Sequence, residues 1–398
     1  MISFLNGLMG VQTAESADLS RRSFLGVMGG LAATALVGCG SNETIAPDGG
    51  IHPQVDGGGG TDSGADAGTL TYRIETGYAQ LPCQYPSDLD AYTGKILTVC
   101  TPGGSMPGDN NQISQFDPAS AARPIPSSTL LDLEDVSGRS LNKLSQLSAT
   151  LGVVTANDGL YEVRLTGAGL PRFITFPSGT TYATGALRVG NKLFVTTANL
   201  DVASSTYNPG TLQIYDLATD GSILETTRRS IPTSRKNPTG LALRNANTLV
   251  VLNSGDYSPM AASSLDLIDP ATEAISNTIP LGTLTAQNTD KIALSPDGDT
   301  AVIGSADGTG RVLFVNLQTG AVTPQILSGT QFHSSIRIGD GRVFVTDFNT
   351  GLLTILDLAT QAVLQSLNLM TDQAGPSELL GHDLIQAMPY GAVRVYAG

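Results

Sequence analysis

The sequence predicts an all-β fold, a seven-bladed β-propeller closed by strands from both termini. Three observations predict it. Similar units of roughly 40–50 residues recur along most of the chain, as expected of propeller blades. One turn, opened by Asp or Asn, recurs at blade-like intervals. The composition is that of a turn-rich β protein: 46 Gly and 21 Pro in 398 residues, no Trp, and 14% charged residues, against the ~25% usual in soluble domains. The net charge of −14 supplies no basic face, which argues against nucleic acid as a partner.

The clearest units are NKLFVTTAN…GTLQIYDLATDG, NTLVVLNSGD…SSLDLIDPATEA, DTAVIGSADGTGRVLFVNLQTGA and GRVFVTDFNTGLLTILDLATQAVLQSL. Each reads as an apolar strand, an Asn/Asp/Gly turn, a second strand, a tight turn and a third strand. The preceding LALRNAN, IALSPDG and IRIGDG segments add the remaining strand. Stretches such as Leu352 to Leu356 are apolar on both faces, as expected when each sheet is sandwiched between neighbours. The ruler turn is Asp117-Pro-Ala-Ser120, Asp216-Leu-Ala-Thr219, Asp269-Pro-Ala-Thr272, Asn316-Leu-Gln-Thr319 and Asp357-Leu-Ala-Thr360. An Asp or Asn there can accept a hydrogen bond from the backbone two residues on. Tyr161–Leu165 and Tyr72–Gly77 supply two atypical units, giving seven. The seventh unit, at the N-terminal end, lacks its own first strands and Ala392–Ala397 lacks a partner, so pairing the two ends would complete the seventh blade and remove an open sheet edge.

These units resemble the YVTN β-propeller repeat family. Leu193-Phe-Val-Thr-Thr-Ala-Asn199 and Val343-Phe-Val-Thr-Asp347 through Thr360 carry the resemblance, which covers about residues 147–365. It implies a scaffold and leaves the activity open.

The N-terminal region reads as an address. Ser20-Arg21-Arg22-Ser23-Phe24-Leu25 precedes a Gly/Ala-rich apolar run from Phe24 to Val37, shorter than the roughly twenty residues that span a membrane. It resembles a twin-arginine export signal carried by Arg21 and Arg22. Leu36-Val37-Gly38-Cys39 is similar to a bacterial lipobox. That resemblance implies a signal peptide over 1–38, lipid on Cys39, a membrane as partner and a cell-envelope location, with the outer membrane or surface expected because Gly40 follows. Two or more acyl chains anchor durably where one does not. Residues 40–68 hold nine Gly, five acids, no Lys or Arg and no aromatic residue, so 39–68 reads as a disordered tether, with 69–398 the propeller. Cys83 and Cys100 remain, either as a disulfide or as two core thiols. An exported protein favours the bridge.

Candidate chemistry concentrates at the channel mouth. Loops after the Val-Thr-Asn-like strands and loops leading into the innermost strands should share one face, bearing Asn157, Asp158, Asn199, Asp201, Asp256, Asp307, Asp347 and Asn349. Such a ring suits calcium, but the same residue types serve tight turns. His52 lies in the tether. His333 and His382 each stand just ahead of a predicted innermost strand in adjacent blades, with Asp383 beside one and Asn288 or Lys236 contributed by neighbouring blades, and with carboxylates could hold a transition metal or serve as a general base. No Gly-x-Ser-x-Gly elbow, phosphate loop, paired-Cys zinc site or His-Glu-x-x-His occurs. The sequence therefore points to a non-enzymatic, lipid-anchored module, without a cofactor, that binds a protein or polysaccharide. The alternative is a metal-assisted hydrolase of the lactonase kind.

Overall fold

The computed structural model describes residues 71–398, except 84–85, 102–110, 134–139, 167–168, 202–203, 205, 256–261, 283–288, 306–307 and 370–372. Arg21, Arg22, Cys39, His52, the proposed signal peptide and the tether lie outside the described residues, as do Asp256, Asn288 and Asp307.

Seven four-stranded antiparallel sheets form the molecule. Seven strands, one from each sheet, line the central channel in order: Pro86–Tyr92, Leu141–Gln146, Ala183–Val189, Pro238–Asn245, Thr289–Leu294, His333–Gly339 and Ser377–Leu380. We number the blades 1 to 7 in that order. In blades 1 to 6 the chain steps outward through the sheet. The blade 3 sheet is interrupted only by a small hairpin, Leu200–Asp201 with Thr206–Tyr207. Blade 7 is composite: Ser377–Leu380, Asp383–Met388 and Gly391–Ala397 are completed by Tyr72–Gln80, with Tyr72 opposite Ala397 and Ile74 opposite Val395. The ends close the ring.

Burial follows position within a blade. Second strands are buried on both faces, as Leu151–Ala156 is throughout, because neighbouring blades cover each side. Outermost strands are largely exposed: in Ala274–Pro280 only Ile279 is buried. The core is accordingly divided into seven apolar clusters, one at each junction between blades. Leu252, Leu265, Ile292 and Ile303 join blades 4 and 5. At the closing junction Tyr78, Leu81, Ile385 and Ala387 pack with Leu89, Ile96 and Phe116.

The repeated turn is real but not uniform. The Asp117, Asp269 and Asn316 side chains accept from the N–H two residues on, at 2.9, 2.8 and 3.0 Å, and Asp357 accepts from Thr360 at 2.8 Å. Asp216 departs from the form. Its carboxylate takes Arg229 instead, and Asp220 caps that turn through Ser222 N–H.

Cys83 and Cys100 are disulfide-bonded, with Cα atoms 5.8 Å apart, which settles the alternative left open above. The bridge ties the link between Tyr72–Gln80 and Pro86–Tyr92 to the second strand of blade 1. Around it, Tyr390 N–H donates to Cys83 O at 3.0 Å and Leu81 N–H to Tyr390 O at 3.0 Å. Arg123 of blade 1 pairs with Glu75 and lies 4.8 Å from the Tyr78 ring centroid.

Candidate functional site: the loop-rich face and the channel

Antiparallel blades put two classes of connection on each face. Loops between second and third strands share a face with those leading into the innermost strands. The former include residues 101–111, 198–210 and 254–263, and on the opposite face the connection between first and second strands shrinks to 93–94, 190–191, 340–341 or 381–382. Long loops on a rigid scaffold are where binding residues concentrate.

The described members of the expected ring of acids and amides lie on that longer-looped face, where several build its loops. Asp347 is fully buried. Its Oδ2 accepts from the N–H groups of Gln331 and Phe332 at 2.5 and 2.6 Å, and its Oδ1 from Thr350 N–H and Oγ1–H at 2.9 and 2.8 Å. Asn199, at φ +53°, donates to Pro209 O at 2.7 Å and accepts from Thr181 N–H at 3.3 Å. Asp201 accepts from Ser204 Oγ–H at 2.7 Å. The carbonyls of Asn157 and Asp158 receive the N–H groups of Tyr182 and Phe176. Asn349 is exposed. The Asp347, Asn199 and Asp201 side chains thus each fasten a loop, which is turn chemistry.

The histidines do not converge. His333 opens the innermost strand of blade 6, as expected, but is 1% exposed. Its Nδ1 accepts Ser305 N–H from blade 5 at 3.1 Å, so Nε2 carries the proton, 3.1 Å from Thr330 Oγ1, whose hydroxyl donates to Leu327 O. Both ring nitrogens serve to stitch two blades together. His382 corrects the expectation: it precedes the second strand of blade 7, because the innermost strand is the short Ser377–Leu380. It is exposed on the short-turn face, with Nδ1 2.5 Å from Oδ2 of Asp340 in the blade 6 turn, and that hydrogen bond raises the imidazole pKa. The whole strand His333–Gly339 separates the two imidazoles, about 20 Å at ~3.3 Å per residue, so they cannot share a metal ion. Asp383 is held by Arg394 at 2.6 Å. Among the described residues no group of three or more His, Cys, Asp and Glu could hold a metal ion.

The charged centre that the sequence reading missed lies inside the channel. Asp88, Lys143, Arg337 and Glu378 project from the innermost strands of blades 1, 2, 6 and 7 around a cavity of about 10 Å³, roughly the room of one water. Arg337 reaches Glu378 at 3.2 Å, and Asp88 Oδ2 accepts Leu144 N–H at 2.9 Å. Burial pushes the Asp88 carboxyl up to about 6 against the pull of Lys143, and burial likewise raises Glu378 against that of Arg337. A single charge set among apolar neighbours, as in Ser-Ile-Arg337-Ile and Ser-Glu378-Leu-Leu, was the available signal. The cluster pairs opposite charges and leaves no room for a substrate at this level.

No family model matches the chain, and no curated protein matches its sequence. Solved structures do share its shape. Virginiamycin B lyase from Staphylococcus aureus aligns over 82% of this chain and 99% of its own at 13% identity, with a TM-score of 0.60. The WD40 β-propeller domain of Doa1 aligns over 82% and 96% at 11% identity, with a TM-score of 0.59. A chain of the mitotic checkpoint complex aligns over 84% and 97% at 12% identity, with a TM-score of 0.59. At such identities the likeness shows the β-propeller fold and nothing finer.

Proposed function

We propose that this chain is a lipid-anchored, extracytoplasmic propeller of the YVTN-repeat type that binds a protein or polysaccharide through its loop-rich face. One observation carries the reading: the polypeptide joins the propeller on the opposite face. Tyr72 lies beside Ala397, at the end of Gly391–Ala397 remote from the Pro389-Tyr390 loop. Residues 40–71 separate it from Cys39. As a flexible coil they would reach about 30 Å, from ~5–6 Å times the square root of length. A lipid on Cys39, with export through Arg21 and Arg22, would then tether the short-turn face towards the membrane and present the long loops outward. The neighbours include both a lyase and WD40 propellers. Binding is favoured because the Asp347, Asn199, Asp201 and His333 side chains are committed to structural hydrogen bonds.

Two measurements on the full-length protein test this. Cys39→Ala should move it from the membrane fraction to the soluble fraction. In the unlipidated Cys39→Ala protein, a bulky maleimide on Asn349→Cys, at an exposed position of the loop-rich face, should block capture by isolated cell envelopes, whereas the same label on Gln318→Cys, exposed on the short-turn face, should not. Retention of Cys39→Ala on membranes, or equal effects of the two labels, overturns the proposal.

A further inference from the structure

Tyr72–Gln80, the strand that completes blade 7, has no direct covalent link to that blade, because its chain neighbours are the N-terminal segment and blade 1. Three blades hold it instead. Blade 6 grips its start: the Gln365 amide accepts Tyr72 N–H at 2.8 Å and donates to Tyr72 O at 3.0 Å, while the Tyr72 ring meets Phe344 edge-on at 5.5 Å. One side chain thus supplies both hydrogen bonds of a neighbouring strand. Blade 7 ladders its length, from Tyr72 opposite Ala397 to Gln80 opposite Gly391. Blade 1 grips its end through the 117–127 connection, which folds back over it as a strap. Gln80 N–H donates to Ile125 O and Ile125 N–H to Tyr78 O, both at 2.9 Å, in the one isolated β-bridge among the described residues. Tyr78 Oη–H donates to Pro118 O at 3.1 Å, and Arg123 lies over the Tyr78 ring. Immediately beyond, Cys83 is bonded to Cys100 in the second strand of blade 1, which lies between two sheet partners.

A pull on the segment before Tyr72 meets these contacts in order: the Gln365 clasp, the ladder, the strap and last a covalent bond. We infer that the closure is built to carry tension. Clasp and strap resist removal of Tyr72–Gln80, and the Cys83–Cys100 bridge halts peeling at Cys83, so that the innermost strand of blade 1 keeps its place while the N-terminal segment is pulled. The source of that tension is the membrane tether proposed above, and the inference rests on that reading. An externally applied force tests it without the tether, so its failure is distinct from a failure of Cys39→Ala to leave the membrane.

The full-length Cys39→Ala protein is held at constant force between a handle at its N-terminus and another on Asn349→Cys. The first event should free only the twelve residues Tyr72–Cys83, about 40 Å at ~3.3–3.6 Å per residue, and a separate event should follow later. Removing the bridge with Cys83→Ala and Cys100→Ala should extend the first event into blade 1, through the further 17 residues to position 100, about 60 Å more. Gln365→Leu should leave the first length unchanged but speed the release about tenfold, because two hydrogen bonds are lost. A first event longer than about 40 Å with the bridge intact overturns the inference. So does the same first length with and without the bridge, or a release rate that Gln365→Leu does not change.

Discussion

Replacing both bridge cysteines, Cys83→Ala with Cys100→Ala, should lower the melting temperature without altering the fold. The bridge closes an interval of 17 residues. Loop-closure entropy of the unfolded chain then gives about 3 kcal/mol at 25 °C. The ordered ring runs from Tyr72 to Ala397. At ~2.1 cal/mol/K per residue its unfolding entropy is roughly 0.7 kcal/mol/K, so the loss corresponds to a fall of about 4–5 °C. Alanine is chosen over serine because both sulfurs are fully buried, and a buried hydroxyl without a partner would add a penalty of its own. The assay is differential scanning calorimetry with and without reductant. Reductant should bring the unmodified protein down to the melting temperature of the double variant and leave the variant unchanged. An unmodified protein and a double variant that melt within about 1 °C of one another would refute the reasoning, because they would show that the closing strand and its apolar cluster already restrict the chain as far as the bridge does.

Two further outcomes follow from local geometry. Gly240→Ala would place a Cβ 2.6 Å from Ile292 Cγ2 and 3.0 Å from Leu252 Cβ, where blades 4 and 5 meet, and overpacking of this kind should cost about 1–3 kcal/mol in urea denaturation. His382 should titrate above its ordinary range in an NMR pH series, because Asp340 favours the imidazolium, and Asp340→Asn should bring it back. Any stability from that pair is present at low pH and lost as pH rises past the imidazole pKa, so an unchanged His382 titration in Asp340→Asn would show that the pair does not form.

The architecture was legible because a propeller is periodic. The Asp/Asn turns at 117, 269, 316 and 357 mark equivalent corners, and the unpartnered Ala392–Ala397 pointed to Tyr72–Gly77 as its mate, which the register bears out. What misled was phase within a blade. His382 stands before an apolar stretch just as His333 does, but the blade 7 innermost strand is only Ser377–Leu380, so the stretch after His382 is the second strand of the blade. Shifting by one strand moves a residue to the other end of the channel. The charged centre escaped for a different reason. Asp88, Lys143, Arg337 and Glu378 are spread over some 290 residues of sequence, and only the sevenfold closure brings them to one cavity. No local spacing encodes that meeting.

The same separation of scales explains why the blades can diverge at their loops without losing the ring. Each junction is built from strand side chains, such as Val250 and Leu252 against Ile292 and Ile303, and the inner ends are tied by short polar stitches: Thr184 Oγ1–H to Pro238 O at 2.6 Å, Ser145 Oγ–H to Ala186 O at 2.6 Å and Ser335 to Ser377 at 2.6 Å. These contacts lie on the innermost strands, outside the long loops. Between second and third strands, blade 2 needs only Asn157 and Asp158 where blade 3 inserts residues 198–210, yet the two blades pack through one continuous cluster. Loop length can therefore vary at little energetic cost to the scaffold, since closing a longer surface loop adds only about 0.6 kcal/mol per doubling. The longest connections fall on one face, although the other also varies, from two residues at 93–94 to the 117–127 connection of blade 1. A ring that closes through its N-terminal strand joins any preceding segment to that second face, on the side away from the longest loops.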